Sequence, residues 1–343
     1  MRAIRKLLYP FSLIYGLITS LRKLAYDKGW LSSTEFATPI IAVGNLSVGG
    51  TGKTPMIEYL VRLFHGSLRM AVLSRGYGRK TRGYILADKQ STSKQIGDES
   101  LQFFRKFDQL TVAVDENRVN GVEHLLKLTE APEMILLDDA YQHRKIKAGL
   151  YILMTSYDKL YCNDLVLPAG DLREPSIGAK RADLIVVSKC PEDLSKQIKE
   201  RIIKDLKILP GQQVFFTTIE YSEKIYGSRD TLSIAALASM NVLLVTGIAK
   251  PKPLEEFLEK CGVEYRHLEF PDHHDISDKD LDRIRDEVKS LDQENSIVLT
   301  TEKDYVRSFI DSELPIYYLP IRMVFLEREE KFMKLINDYV RKN

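Results

Sequence analysis

The chain has 343 residues, 50 Lys plus Arg against 48 Asp plus Glu and a formal net charge of +2, a balance that gives no global electrostatic reason to bind nucleic acid. Hydrophobic residues at 44% and charged residues at 29% belong to a folded globular protein, and the length leaves room for two cores. Three cysteines, Cys162, Cys190 and Cys261, odd in number and far apart, argue against a disulfide framework and for a reducing compartment, and no Cys/His spacing matches a structural zinc site.

In chain order, the even charge breaks first at the N-terminus. Residues 1–28 hold Arg2, Arg5, Lys6, Arg22, Lys23 and Lys28 against Asp27 alone, and Leu7 to Leu21 carry no charge. That run falls short of the ~20 residues of a spanning helix and is diluted by Pro10, Ser12, Gly16, Thr19 and Ser20. A secretory signal would need a small-x-small cleavage site, which is missing. A core-packing helix stays open. The favoured reading of residues 1–30 is an amphipathic helix in a membrane interface, with apolar side chains among acyl chains and Lys/Arg on anionic headgroups.

Residues 40–64, IIAVGNLSVGGTGKTPMIEYLVRLF, combine an apolar run, a glycine-rich turn and an amphipathic helical pattern. Where a buried strand meets a helix N-terminus, unpaired N–H groups and the helix dipole favour an anion. The turn Ser47-Val48-Gly49-Gly50-Thr51-Gly52-Lys53-Thr54 departs from the strict phosphate-loop pattern only at Ser47, where that pattern has Gly. Lys53 would meet the β/γ-phosphates and the Thr54 hydroxyl would complete a Mg²⁺ shell, so a nucleoside triphosphate is the expected ligand.

Further apolar runs at 70–73, 111–114, 134–137, 151–154 and 184–187 are continuous rather than alternating, as for strands of a parallel sheet buried on both faces. Helical patterns at 53–65, 97–107, 117–129 and 191–206 complete an α/β core over residues 31–226. The polar stretch 220–233 is the candidate boundary. Strand patterns at 242–245, 264–269, 297–300 and 316–319, with helices at 252–261, 278–290 and 302–310, outline a smaller α/β domain over 227–343. The closing amphipathic segment 327–341 is free to pack on either unit.

Several strand ends carry candidate chemistry. EMILLDD at 133–139 ends a buried run in two carboxylates, and Asp138 or Asp139 suits a magnesium ligand, while Asp139 also suits a helix cap. His143, a turn later, reads as structural. LSRGYG at 73–78 sets Arg75 between flexible residues as a phosphate ligand or a surface arginine. Asp98 in IGDE is either an N-cap or the acceptor of a hydroxyl proton. LPAGDLREP at 167–175, followed by Lys180 and Arg181, is a locally basic loop suited to an anionic headgroup. FPDHHD at 270–275 admits a metal site or a His–Asp pair that tunes a proton acceptor, and TTEKD at 300–304 reads mainly as a helix cap.

Taken in order, VGNLSVGGTGKTP (43–55), SRGYGRK (74–80), IGDE (96–99), LLDDAYQHR (136–144), LPAGDLREP (167–175), FPDHH (270–274) and TTEKDYVR (300–307) resemble the tetraacyldisaccharide 4′-kinase family, the lipid A 4′-kinases. The resemblance implies a P-loop core with a mostly parallel sheet, a smaller C-terminal α/β domain and a cleft between them. It implies transfer of the ATP γ-phosphate to the 4′-hydroxyl of a tetraacylated glucosamine disaccharide 1-phosphate, at the cytoplasmic face of a Gram-negative inner membrane, with no obligate protein partner. Residue by residue, Lys53 and Thr54 match the family's P-loop, Asp138 its magnesium aspartate and Asp139 the neighbouring acidic residue. Asp98 matches the carboxylate that accepts the hydroxyl proton, His273 its histidine partner, and Arg173 and Glu174 a loop near substrate or phosphate. Two positions depart from the family's common residues, Ala140 for Gly and Asp171 for Pro. The rival reading is a P-loop switch NTPase or nucleotide-dependent chaperone, weakened by Pro191 where a guanine-reading loop after Ser188-Lys189 needs Asp.

Overall fold

The computed structural model describes residues 5–228, 230–291, 295–310, 312 and 314–342, and its backbone forms two sheets. The strands are β1 (Ile40–Asn45), β2 (Met70–Ser74), β3 (Ile85–Leu86), β4 (Thr111–Val114), β5 (Met134–Asp138), β6 (Leu150–Ser156), β7 (Leu184–Ser188), β8 (Gln213–Tyr221), β9 (Lys224–Gly227), β10 (Thr231–Ser233), β11 (Asn241–Thr246), β12 (Tyr265–Glu269), β13 (Ser296–Thr301), β14 (Ile316–Leu319) and β15 (Ile321–Phe325). The first sheet runs β15-β8-β7-β6-β1-β5-β2-β4-β3 and is parallel except at its two edges, where β3 and β15 are antiparallel. The second runs β10-β9-β14-β13-β11-β12. The continuous apolar runs are covered on both faces: β1, β2, β5 and β7 are buried along their whole length.

Helices α1 (Tyr9–Asp27), α2 (Lys53–Phe64), α3 (Asp98–Lys106), α4 (Arg118–Leu125), α5 (Lys196–Leu206), α6 (Lys252–Lys260), α7 (Asp278–Ser290), α8 (Glu302–Ser308) and α9 (Glu329–Lys342) cover these sheets. Strand β1 lies between β5 and β6, with Val43 opposite Asp138, so the glycine-rich turn and the paired aspartates leave the sheet at the same edge. That carboxyl edge is where open α/β sheets bind ligands.

The chain passes from the first sheet to the second within the stretch 220–233, whose residues form the end of β8 and the antiparallel β9–β10 pair. Strand β8 escapes a search for apolar runs because Gln213–Tyr221 turns polar halfway, and its second neighbour, β15, lies a hundred residues further on. The chain crosses between sheets twice, after Tyr221 and again at Pro320. The smaller sheet therefore takes β9 to β14, and the closing segment returns to the first sheet. Phe332 and Ile336 of α9 are fully buried in the cluster that includes Val43, Met56 and Phe215, and Tyr339 Oη donates to the Ile40 carbonyl at 3.0 Å.

Helix α8 of the second sheet packs on α3 of the first, where Val306 joins Ile96, Leu101 and Val114. Beside it, Lys106 pairs with Glu58 at 2.8 Å and with Glu302 at 2.6 Å. At the other end, α1 docks on the loop 165–173: Ser12 Oγ accepts from the Ala169 amide at 2.9 Å and Tyr15 Oη donates to the Arg173 carbonyl at 3.0 Å. Arg5 pairs with Asp171 at 2.7 Å, which gives the unusual Asp at that position a partner. The outward side chains of α1 include Leu13, Ile14, Leu17, Ile18 and Leu21, each 56–60% exposed. Among the described residues no helix is long and apolar enough to cross a membrane, and Arg2 of the basic cluster lies outside the described residues.

Because Phe332 sits among Tyr59, Phe215 and Phe325, Phe332→Ala should cost about 3–5 kcal/mol in chemical denaturation. A loss under about 1 kcal/mol would show that α9 is not part of the core.

Candidate active site

Strand β1 ends at Asn45 and the chain turns through Leu46 to Gly52 before α2. Gly52 has φ +82°, a backbone that side chains beyond glycine adopt at a cost, and an added Cβ would press to 3.3 Å from Ser188 Oγ. The turn is braced from three directions. Asn45 Nδ2 donates to Thr51 Oγ1 at 2.8 Å, Ser188 Oγ to the Thr51 carbonyl at 2.8 Å, and Lys189 Nζ to the Gly50 carbonyl at 2.7 Å. Ser47 bridges Leu172, and the Val48 amide donates to the Asp171 carbonyl at 2.8 Å. The amides of Gly49, Gly50, Thr51 and Gly52 donate to nothing among the described residues. A braced turn with free N–H groups ahead of a helix is an anion cradle.

Asp138 and Asp139 leave β5 beside that cradle. Asp139 has φ +47° and is held from two sides: Arg173 Nη1 donates to both its oxygens at 2.9 and 2.8 Å, and Lys53 Nζ stands 3.6 Å away. Against the upward push of burial, these two cations hold its carboxyl below the usual range. Asp138 is the opposite case. It is buried, its Oδ1 has no partner, and burial followed by the charge of Glu99 pushes it up to about 7. The Thr54 hydroxyl, in the first turn of α2, has no hydrogen-bond partner among the described residues. A buried carboxylate oxygen with no donor, beside a second acidic side chain, has the donor chemistry that a Mg²⁺ ion takes, and the free hydroxyl of Thr54 is of the same oxygen type.

Asp98 opens α3 and meets the second sheet. Its Oδ2 lies 3.4 Å from His273 Nδ1 and accepts from Arg307 Nε at 2.7 Å. Although burial raises it, the hydrogen bond with His273 and the Arg307 charge hold Asp98 below the ordinary carboxylate range. His273 has φ +60° and is anchored by its amide to the Gly247 carbonyl at 3.1 Å. Gly247 is in turn tied to Asp304, which Thr301 caps at the start of α8. The turn before α3 needs glycine: at Gly97, φ +84°, a Cβ would come within 2.7 Å of the Tyr77 carbonyl.

The remaining expected residues have distinct places. Arg75 is exposed, with no ion pair among the described residues, and its charge acts on Arg118 and His143. Glu174 is buried, with both oxygens accepting from Arg181 at 2.9 and 2.7 Å and a further contact from Gln142, so it braces the loop that carries Arg173. The two histidines of FPDHHD part company, His274 pairing with Asp280 at 3.0 Å, and no group of three metal-binding side chains occurs among the described residues. The capping role of TTEKD is as expected, yet Lys303 and Arg307 of the same segment enter the site. Arg118 also went unread: its buried guanidinium donates to the Asp138 carbonyl at 3.2 Å from a helix with no recognisable motif.

These features define a P-loop phosphotransferase, with a phosphate cradle, paired aspartates and a carboxylate–imidazole pair at one sheet edge. The sequence profile of tetraacyldisaccharide-1-P 4′-kinase, LpxK, matches residues 4–341. The tetraacyldisaccharide 4′-kinase of Flavobacterium johnsoniae is 51% identical, covering 100% of this chain and 99% of its own. The one from Bacteroides thetaiotaomicron is 44% identical over 99% of this chain and 94% of its own. A crystal structure of LpxK from Aquifex aeolicus in complex with ATP is 30% identical with a TM-score of 0.79, covering 98% of this chain and 99% of that one. The chain belongs to the tetraacyldisaccharide 4′-kinase family, ATP-dependent phosphotransferases with an alcohol acceptor that act in lipid A biosynthesis. That membership sets the switch-protein reading aside.

The Asp138 carboxyl binds its proton in the metal-free folded chain up to about pH 7 but releases it near pH 4 when unfolded, so its burial weakens the fold as pH rises between the two. In EDTA, Asp138→Asn should therefore raise the melting temperature at about pH 8, with a gain that shrinks toward pH 4. A variant that melts lower at pH 8 would contradict this charge assignment.

Proposed function

We propose that this chain carries out its family's reaction, moving the γ-phosphate of ATP to the 4′-hydroxyl of a tetraacylated glucosamine disaccharide 1-phosphate, in the cleft where α2, α3, β5 and α8 converge. The observation that carries this reading is the meeting of the free amides of Gly49 to Gly52, the paired aspartates and the Asp98–His273 pair at one sheet edge. Those amides and Lys53 receive the β- and γ-phosphates, with Arg75 and Arg173 as further neutralising cations. Asp138 and Thr54 would hold Mg²⁺, which, when bound, offsets charge on the phosphates as the transferred group loosens. Asp139, kept ionised by Lys53 and Arg173, fixes the direction of the Lys53 ammonium.

The acceptor hydroxyl oxygen forms its bond to the γ-phosphorus as the bond to the ADP oxygen breaks, and its proton passes to Asp98. A loose transition state asks mainly for position and charge neutralisation, so Asp98 need not be a strong base. His273 and Arg307 keep it anionic and aimed. Closure of the second sheet over the first would exclude water from this step.

Membrane placement follows from the acceptor and from α1. Each buried CH₂ of an acyl chain adds ~0.8 kcal/mol to bilayer retention, so the enzyme must reach the acceptor at the surface. The exposed apolar side chains of α1, next to a site loop, support a peripheral helix at the cytoplasmic face of the inner membrane.

Three experiments test the reading. With ATP radiolabelled in the γ-phosphate and the disaccharide 1-phosphate in mixed micelles, label should appear on the glycolipid; label confined to inorganic phosphate would contradict it. Asp98→Ala and His273→Ala should each slow turnover by about 100-fold or more with little change in ATP binding, and the double variant should lose hardly more than either. A fully multiplicative loss would break the pair into independent residues. For the membrane, the double substitution Leu13→Glu and Leu17→Glu should abolish sedimentation with phosphatidylglycerol vesicles, and unchanged sedimentation would exclude α1 as the contact.

A further inference from the structure

Resting on the reading of Asp98 and His273 as one unit, we propose that Lys303 and Arg307 of α8 are its positioning residues: Lys303 fixes His273 as the Nδ1–H tautomer, and Arg307 selects the oxygen of Asp98 left open to the hydroxyl. Lys303 Nζ lies 3.2 Å from His273 Nε2. An ammonium group has donors only, so Nε2 offers its lone pair and the proton of the neutral ring sits on Nδ1, facing Asp98 Oδ2. The opposite tautomer would turn N–H against N–H at Lys303 and a lone pair against the carboxylate. Among the described residues the acidic group paired with Nε2 is Asp272, whose Oδ1 is 4.0 Å away, beyond hydrogen-bond reach.

Arg307 acts on the other partner. Its side chain is 2% exposed, its Nε holds Asp98 Oδ2 at 2.7 Å, and its Nη1 reaches the His274 carbonyl at 3.1 Å and Asp304 at 3.3 Å. One guanidinium thus spans the carboxylate and the backbone that carries His273. Both donors to Asp98 converge on Oδ2, and Oδ1 has no partner among the described residues. Lys303 and Arg307 are four residues apart and share a face of α8. That helix is fixed against α3 by the Glu302–Lys106 pair, so the proton-accepting unit in the first sheet is assembled by the second.

The test is the tautomer itself, in the full chain labelled with ¹⁵N and observed through long-range ¹H–¹⁵N histidine correlations at about pH 8, above the ordinary histidine range. His273→Asn identifies the signals. The wild type should show protonated Nδ1 and bare Nε2. Lys303→Met should let the Nε2–H form appear beside the Nδ1–H form and lower kcat at least tenfold, at about the lower end of general-base effects, with KM for ATP within about twofold. Lys303→Arg, also a pure donor, should restore both. A tautomer unmoved in Lys303→Met would overturn this assignment alone. A shifted tautomer with unchanged kcat would overturn it together with the Asp98–His273 reading beneath it.

Discussion

Negative charge gathered at the carboxyl edge of the first sheet is the constraint that the surrounding structure answers. Asp138, Asp139 and Glu99 lie close together, Asp98 precedes Glu99 on the same helix, and Asp138 is wholly buried with an oxygen that meets no donor. Buried charge without compensation costs several kcal/mol, so counter-charges are drawn in from separate segments. Lys53 comes from α2, Arg173 from the loop at 165–173, Arg118 from α4 and Arg307 from α8 of the other sheet. The register of β1 against β5 places this charge beside the free amides of the glycine-rich turn, where, under the proposed function, the ATP phosphates and a divalent cation complete the balance.

The same loop links that balance to the N-terminal helix. Residues 165–173 pair with the phosphate turn through Ser47 and Leu172, supply Arg173 to Asp139, hold α1 through Ala169 and the Arg173 carbonyl, and hold Arg5 ahead of it through Asp171. An apolar helix, a basic loop and the nucleotide cradle are therefore one continuous stack of contacts. Under the proposed function, in which α1 meets the bilayer and the glycine-rich turn meets phosphate, this stack joins the two without a flexible spacer.

Much of this was legible in the sequence, for identifiable reasons. Strands such as β1, β5 and β7 are covered on both faces, so their apolar runs are unbroken and their polar ends stand out, which exposed Lys53, Asp138 and Asp139 directly. Asp98 and the FPDHHD cluster stand out as candidates by themselves, but only the family resemblance pairs Asp98 with His273, since no local pattern joins residues 175 positions apart. Edge and crossover strands stayed hidden because β8 turns polar halfway, β15 alternates Arg322 with apolar neighbours, and each is stabilised by the other. Lys303 and Arg307 carry no signal for another reason: Thr301 and Asp304 account for the segment as a helix cap, and only the packing of α8 on α3 reveals what Lys303 and Arg307 touch.

The central claim is that phosphate bound at Gly49 to Lys53 is presented to a hydroxyl held by Asp98. Its most direct measurement is a crystal structure with a non-hydrolysable β,γ-methylene ATP analogue and Mg²⁺. The account predicts the terminal phosphate on the free amides and Lys53, the metal on Asp138 and Thr54, and Asp98 Oδ1 opening toward the terminal phosphorus from the side away from the leaving oxygen. Phosphates lying outside the turn, or a terminal phosphate walled off from Asp98, would contradict it.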